Sequence, residues 1–227
     1  AYKKSLLIFL FFIIFLIFKG LKVTNSQFIT KELVKYPVAT LYEAAGQVGD
    51  MCPDIRPIFT NSIIAGVAYT VKIFPSDTLG VIKAIDKAPV GSVIVIDAGG
   101  SSRSAVWGGT SSLASNVKGL KGCVTNGCVR DIEEIKQIGF PVYCKGISPR
   151  GTQKNHPGWL EKTISIGGVS VATGDFIIAD QDGVLVINSA YVDTVIKKAK
   201  IQRIKELERD DRVRNGEKLT DILGIKI

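Results

Sequence analysis

The chain contains the stretch Asp97-Ala-Gly-Gly-Ser-Ser-Arg-Ser-Ala-Val-Trp-Gly-Gly-Thr-Ser-Ser112, which is followed further on by Gly119-Leu-Lys-Gly-Cys-Val-Thr-Asn-Gly-Cys-Val-Arg-Asp131. The residues that lead into it, 92–97, form an apolar run typical of a strand buried on both faces. A helix is predicted near 110–118 and a second strand over 123–126, with glycines between them. Strand, loop, helix and strand in this order predict an α/β unit whose strands run parallel.

The segments on either side continue the alternation. A β-rich run over 62–74 ends before a proline, and the apolar residues of 78–88 have helical spacing. Residues 131–138 predict a helix with an acidic first turn, and 141–147 predict a further strand. Upstream, Thr40-Leu-Tyr-Glu43 predicts a capping box that opens a short helix.

The C-terminal third predicts short strands followed by a long helix. Apolar runs between 159 and 187, separated by glycine-containing turns, predict a β-meander. Asp180-Gln-Asp-Gly183 has the start of a calcium loop but lacks the downstream glutamate of an EF-hand, so we expect a tight turn between strands. Ser189 is predicted to cap a charged helix that reaches about Arg214.

Composition favours a globular chain with a buried core. The chain has 227 residues, 46% of them hydrophobic, with a net charge of +8 and a sequence pI of about 9.3. A basic chain can bind nucleic acid, but the lysines are spread over the chain, as on a solvated surface. We therefore expect no nucleic-acid partner.

The cysteines and the single histidine argue against two kinds of site. Cys123 and Cys128 do not have zinc-site spacing and no second Cys/His pair accompanies them, so we expect small buried thiols in a reducing compartment. His156 lies in a stretch typical of a surface loop, and all multi-histidine metal chemistry is excluded by the absence of a second histidine.

Residues 1–25 are predicted to lie apart from the domain that follows. Lysines flank an apolar run over 6–18, which would span about 20 Å as a helix, whereas a bilayer core needs about 30 Å. The length and basic start suit a signal segment, but no clear cleavage site follows. Three interpretations of this segment remain: an export or targeting segment, an uncleaved membrane anchor, or sequence that is foreign to the domain. Membrane contact is expected only through this segment.

Arg130 and Asp131 are the strongest candidates for chemistry. A strand that ends near Asn126 delivers them to the rim of the sheet, where α/β folds bind ligands. A guanidinium can pair with a 2-oxo acid carboxylate, and the neighbouring carboxylate can hold Mg²⁺. The backbone of 108–111, at a predicted helix N-terminus, can receive the same anion. The alternative is that Arg130 and Asp131 only cap a helix.

From about Thr40 to Leu223 the chain resembles the RraA-like family. The resemblance rests on ordered pieces at family spacing: Gly91-Ser-Val-Ile-Val-Ile-Asp97 with Gly99-Gly100, Ala105-Val-Trp-Gly108, Gly119-x-x-Gly-x-Val-x-x-Gly-x-x-Arg-Asp131, Gly139-Phe-Pro-Val142, Gly174-Asp-x-x-x-Ala-Asp-x-Asp-Gly-Val184 and Lys205-Glu-x-x-Arg209. The family includes metal-dependent 4-hydroxy-4-methyl-2-oxoglutarate aldolases, which also decarboxylate oxaloacetate, and the regulator that inhibits ribonuclease E.

The resemblance implies an α-β-β-α layered sandwich of the swivelling-domain type over residues 26–227, assembled as a homotrimer or hexamer. It implies that Arg130 holds the substrate carboxylate and stabilises an enolate oxygen, and that Asp131 ligates Mg²⁺ or Mn²⁺. Gly108, Gly109, Thr110 and Ser111 would bind substrate through their backbone. Glu206 matches a family glutamate that reaches the site from a neighbouring subunit.

Two positions depart from the aldolase pattern. The aldolases carry an acidic residue where this chain has Gly109, and commonly an aspartate where it has Asn126. The ribonuclease regulators tend to lose the aspartate that this chain keeps as Asp131. The resemblance therefore implies a divalent-metal lyase that cleaves a 2-oxo acid in the cytoplasm, with a non-catalytic regulator or binding protein as the alternative.

Overall fold

A computed structural model describes residues 25–225. The predictions made for the N-terminal apolar segment concern residues that lie, apart from residue 25, outside this range. Within residues 25–225, no helix is long and apolar enough to cross a membrane. The boundary placed at residue 26 stays a prediction.

The predicted central helices and strands are present, and short strands are added to them: the strand expected over 141–147 is divided into β7 and β8, which lie in different sheets. The helices are α1 (25–33), α2 (Val38–Ala44), α3 (Leu79–Lys87), α4 (Gly109–Lys118), α5 (Ile132–Ile138), α6 (Val192–Arg214) and α7 (Leu219–Ile222). The strands are β1 (Arg56–Pro57), β2 (Ile64–Lys72), β3 (Ser92–Asp97), β4 (Ala105–Trp107), β5 (Gly122–Thr125), β6 (Cys128–Val129), β7 (Val142–Cys144), β8 (Gly146–Ile147), β9 (Trp159–Leu160), β10 (Ile164–Ile166), β11 (Val169–Val171), β12 (Phe176–Asp180) and β13 (Gly183–Ile187).

The main sheet is parallel at its centre and antiparallel at both ends. Its strands lie in the order β1-β7-β5-β3-β2-β12-β13, with β9 added beside β2. Strands β2, β3, β5 and β7 are parallel, as predicted, whereas β12 and β1 join antiparallel. The Arg56 guanidinium donates to the carbonyls of Gln181 and Asp182 at the other end, so the sheet nearly closes on itself.

Three buried clusters separate four layers, which confirms the α-β-β-α architecture. Alternate residues of β3 point to opposite faces, so that Ile94 packs with α3 and α5, while Val93 packs toward β12 and β13. The outer face of β12, which includes Ile178, packs against α1, α2 and α6. Strands buried on both faces need apolar residues at every position, which explains the continuous runs in the sequence.

The capping box expected at Thr40 is wrong. Helix α2 begins earlier, at Val38, after Pro37. The Asp180 carboxylate accepts the Val38 N–H at 2.9 Å, so the cap comes from a residue far along the chain. Thr40 lies inside the helix, and its hydroxyl donates to Glu206 of α6 at 2.9 Å.

The C-terminal third differs from the prediction in two places. The expected meander is interrupted: β10 and β11 form a separate hairpin, and β12 and β13 extend the main sheet. The long helix begins at Val192 with Tyr191 as its cap residue, so Ser189 is not the cap. The tight turn is confirmed, because Asp180 pairs with Gly183 across the β12–β13 hairpin.

Candidate functional site

An open cavity of about 300 Å³ lies where two short parallel strands end. Strand β4 leads into Gly108, and β6 leads into Arg130. The lining residues are Thr78, Val81, Ile82, Ala105, Val106, Trp107, Gly108, Thr110, Ser111, Arg130, Asp131, Gly151, Thr152 and Lys154. The volume suits a small metabolite. The structure thus brings the predicted residues of the glycine-rich loop and the Arg-Asp pair to one place.

Asp131 takes a backbone conformation that is uncommon for a residue with a side chain. Its φ of 60° and ψ of 43° are left-handed, at the position just before α5. Its side chain makes no capping bond to α5. Instead, Oδ2 accepts the backbone N–H of Gly109, the first residue of α4, at 3.1 Å. Asp131 therefore caps the N-terminus of α4 and not that of its own helix, α5.

Arg130 lies beside Asp131 at the cavity rim. Its Nε is 3.5 Å from Asp131 Oδ2, and both side chains remain close to half exposed, at 48% and 41%. The Arg130 backbone N–H donates to the Trp107 carbonyl, which fixes the residue to β4. An exposed guanidinium with N–H groups to spare can bind an incoming carboxylate.

Gly108, the cap residue of α4, and Gly109, its first residue, leave room for acidic side chains. A Cβ at Gly108 would lie 2.7 Å from Asp131 Oδ2 and 3.3 Å from Arg130 Cγ. A Cβ at Gly109 would overlap the carboxylate of Glu134. A side chain at position 108 would meet Asp131 and Arg130, whereas at position 109 only the end of the flexible Glu134 side chain would have to move. Glu134 is a neighbour that the sequence patterns did not reveal.

Another wall of the cavity comes from residues that the sequence analysis missed. Thr152 and Lys154 belong to a loop without secondary-structure periodicity, and no pattern in the sequence links this loop to the glycine-rich segment. The Thr78 hydroxyl lies 2.9 Å from the Thr152 hydroxyl, and the Thr78 N–H donates to the Gln153 carbonyl at 2.9 Å. These bonds hold the loop against the start of α3.

Asp77 holds the loop that contains Thr152 and Lys154 in place through hydrogen bonds. The side chain is buried and accepts backbone N–H groups from Leu79, Asn155 and His156, at 2.8 to 3.0 Å. Burial acts to raise the pKa of this carboxyl, but the three N–H donors outweigh it and the pKa is held below its usual value. A charged Asp77 thus stabilises the cavity wall.

Asn126, the second departure from the aldolase pattern, has a structural role. Its side-chain carbonyl accepts the Ala98 N–H at 2.7 Å, and its amide donates to Asp97 Oδ1 at 3.0 Å. A carboxylate here could not donate to Asp97, whereas an amide satisfies both partners. The residue joins the ends of β3 and β5 behind the cavity.

Glu206 is not brought to the cavity within one chain. Its Oε2 accepts from Thr40 at 2.9 Å and from Arg203 at 3.2 Å, on the layer formed by α2 and α6. Its side chain is 14% exposed. A role in a neighbouring subunit's site stays a prediction.

Three of the four cysteines are buried, as expected, whereas Cys52 is half-buried, and His156 lies in an exposed loop, as expected. All four cysteines are free, and Cys123, Cys128 and Cys144 are buried. Burial raises the pKa of the Cys128 thiol, as expected of an unreactive group. His156 does not line the cavity, and its ring lies 5.1 Å from that of Phe74.

The number of potential metal-ligating side chains limits which metal ion the cavity could hold. Among residues 25–225 there is no group of three or more His, Cys, Asp or Glu side chains that could hold a metal ion. A single carboxylate suits Mg²⁺, which keeps most of its waters, and does not suit a closed zinc site. Asp131 Oδ1 has no hydrogen-bond partner among the described residues and is open to such an ion.

Comparison with known proteins agrees with this geometry. The RraA-like family model, described as Aldolase/RraA, matches residues 38–186. An uncharacterized protein of Methanocaldococcus jannaschii is 36% identical over 174 residues, covering 76% of this chain and 84% of that protein. A protein of Halalkalibacterium halodurans named "Putative 4-hydroxy-4-methyl-2-oxoglutarate aldolase" is 32% identical over 190 residues, covering 84% and 88%.

A solved structure with the same fold is the RNA-processing inhibitor RraA of Thermus thermophilus. It aligns with a TM-score of 0.62 at 26% identity, covering 66% of this chain and 92% of that chain. The family match, the relatives and the fold agree. The matched segment contains strands β1 to β12 and every residue that lines the cavity. The chain belongs to the RraA-like family.

Proposed function

We propose that this protein is a divalent-metal-dependent lyase that cleaves a small 2-oxo acid. The observation that carries the proposal is the placement of Asp131 and Arg130, side by side and accessible, at an open cavity. A relative named as an aldolase of this type supports the substrate class. The expected reactions are retro-aldol cleavage of a 4-hydroxy-4-methyl-2-oxoglutarate type substrate to pyruvate and decarboxylation of oxaloacetate.

The residues of the cavity suit the charge changes of both reactions. Arg130 would pair with the substrate carboxylate and face the 2-oxo oxygen, where negative charge develops as the carbon–carbon bond breaks. The N–H groups at the start of α4, near Thr110 and Ser111, would receive the same carboxylate. Asp131 would hold Mg²⁺ or Mn²⁺, which supplies Lewis-acid polarisation of the carbonyl when bound.

The position of Asp131 supports its part in this mechanism. Its carboxylate is fixed by the Gly109 N–H through one oxygen, so the other oxygen has a defined direction without being used by the protein. An uncommon backbone conformation that is retained at a cavity is typical of residues held in place for function. Assembly as a homotrimer or hexamer, with Glu206 completing a neighbour's site, is part of the proposal.

The second candidate is a non-catalytic regulator or binding protein. Gly109, which has no side chain where the aldolases have an acid, favours it, and so does the structural likeness to an RNA-processing inhibitor. The retention of Asp131 at the cavity argues against it, because a binding protein needs no accessible carboxylate fixed beside a guanidinium.

The test is pyruvate release by the full chain. Oxaloacetate and 4-hydroxy-4-methyl-2-oxoglutarate would each be supplied with Mg²⁺ or Mn²⁺, and the assays repeated with a chelator. We expect pyruvate from at least one substrate and loss of that activity with the chelator. Folded, oligomeric protein that releases no pyruvate from either substrate would overturn the proposal and favour the binding role.

A further inference from the structure

Glu134 lies where a side chain at position 109 would lie. It is the third residue of α5, and its carboxylate extends to Gly109 at the start of α4. A Cβ on Gly109 would lie 2.8 Å from Glu134 Oε1 and would overlap the remaining carboxylate atoms. Among the described residues, this carboxylate accepts no hydrogen bond and pairs with no cation.

Asp131 and Glu134 therefore lie beside two successive glycines, Gly108 and Gly109, but the two carboxylates differ in the contacts that they make. Asp131 lies against Gly108 and accepts the Gly109 N–H, and Arg130 is beside it. Glu134 lies against Gly109, is exposed and has no partner within residues 25–225. The first carboxylate is fixed in direction, whereas the second has both oxygens available to a water or a proton.

The proposed retro-aldol reaction needs such a group. A base takes the proton of the C4 hydroxyl, the C3–C4 bond breaks, and its electron pair forms the enolate of pyruvate while C4 becomes a carbonyl. The enolate carbon then takes a proton, so the net change moves one proton from oxygen to carbon. Decarboxylation of oxaloacetate needs no base, because loss of CO₂ forms the enolate directly.

The charged side chains that line the cavity are poor candidates for this base. Arg130 and Lys154 are cationic and offer no acceptor for a proton. Asp131 is engaged by the protein and, under the proposed function, by the metal. Neither His156 nor Glu134 is among the lining residues, but the Glu134 carboxylate extends to Gly109, which lies between the lining residues Gly108 and Thr110.

We propose that Glu134 is the general base of the retro-aldol reaction, acting on the C4 hydroxyl directly or through one water. The proposal rests on the proposed lyase function and deepens it. Gly109 has no side chain because Glu134 supplies a carboxylate in that volume from the neighbouring helix. Under this proposal the site keeps an acidic group near position 109, but Glu134 of α5 provides it and not residue 109 itself.

The test compares two reactions of one site. Glu134→Gln keeps the shape of the side chain but cannot accept a proton, and we expect kcat for retro-aldol cleavage to fall on the order of 100-fold or more. Oxaloacetate decarboxylation with the same metal should fall by less than about tenfold, because its bond cleavage needs no base. Glu133→Gln, on the same turn of α5 but not at Gly109, is the matched control and should leave both rates unchanged.

A second variant moves the Glu134 carboxylate without altering it. Gly109→Ala should lower the ratio of aldol cleavage to decarboxylation, because the new Cβ displaces the end of the Glu134 side chain. The displaced atoms end a flexible side chain, so the free energy of unfolding should change little. These outcomes would support the proposal.

The outcomes that overturn it are separable from failure of the lyase itself. If wild-type protein cleaves the aldol substrate and Glu134→Gln keeps the wild-type ratio of the two rates, Glu134 is not the base while the lyase function stands. If both rates fall equally, its role is structural and the proposal is equally wrong. If wild-type protein releases no pyruvate, the proposed function fails and this inference fails with it.

Discussion

The carboxylate of Asp131 accepts the backbone N–H of Gly109 at 3.1 Å and so connects the N-termini of α4 and α5. Helix α4 begins at the cavity, with Thr110 and Ser111 in the lining, so its N-terminal N–H groups and partial positive charge lie where a substrate carboxylate would bind. The contact also explains why an aspartate occupies a left-handed position: that conformation turns the side chain away from its own helix.

Replacing Asp131 should remove metal-dependent turnover and leave the fold intact. Asp131→Asn keeps an oxygen for the Gly109 N–H, so the helix connection should survive, but a neutral amide is a poor ligand for Mg²⁺. We expect turnover to fall on the order of 100-fold or more. Steady-state kinetics and Mn²⁺ titration would measure it; unchanged turnover with unchanged Mn²⁺ affinity would exclude Asp131 as the ligand.

Asp180 should stabilise the fold through two hydrogen bonds, one at the start of helix α2 and one in the β12–β13 turn. Its carboxylate accepts the N–H of Val38 at the start of α2 and the N–H of Asp182 in the hairpin turn, both at 2.9 Å. Asp180→Ala should lower the free energy of unfolding by about 1–2 kcal/mol, as loss of a helix cap does. Asp182→Ala is the control in urea denaturation, since its side chain is exposed and caps nothing; equal effects of the two variants would contradict the assignment.

Asp77 should make stability depend on acid pH. Because its pKa in the folded protein is lowered, its contribution is fully present above the unfolded value, about 3.9, and is lost as pH falls through the folded value. Wild-type protein should therefore lose more stability than Asp77→Asn between neutral pH and about pH 3. Urea denaturation across this range should show the free energies of unfolding of the wild-type and Asp77→Asn proteins converging as the pH falls. A difference between the two that does not change with pH would contradict the prediction.

Glu206 can be tested by mixing subunits. If it serves a neighbour's cavity, Asp131→Asn and Glu206→Gln proteins should each be weakly active. Mixed oligomers made by refolding equal amounts together should recover about a quarter of the wild-type sites, because some interfaces then combine both intact residues. Glu206→Gln keeps an oxygen for the Thr40 hydroxyl, which limits structural damage. Absence of recovery in confirmed mixed oligomers would leave Glu206 with its contacts to Thr40 and Arg203 alone.

Most elements of the fold could be predicted from local patterns. The apolar run 92–97 became β3, the helical spacing in 78–88 became α3, and the glycine-separated segments became α4, β5 and α5. The errors lie where a distant residue replaces a local one. Asp180 caps α2 across the fold, which no spacing near Thr40 could indicate, and β12 pairs with β2 so that the predicted meander is divided.

The sequence by itself determined the parallel α/β centre, the glycine-rich loop and the pairing of Arg130 with Asp131, because each depends on residues that are neighbours in the chain. Only the tertiary structure decided which of these share a cavity with Thr152 and Lys154, that Glu134 fills the space beside Gly109, and that Glu206 contacts Thr40 within its own chain. The physical reason is that periodicity and turn chemistry act over a few residues, whereas a site is assembled by packing between helices and strands far apart in sequence.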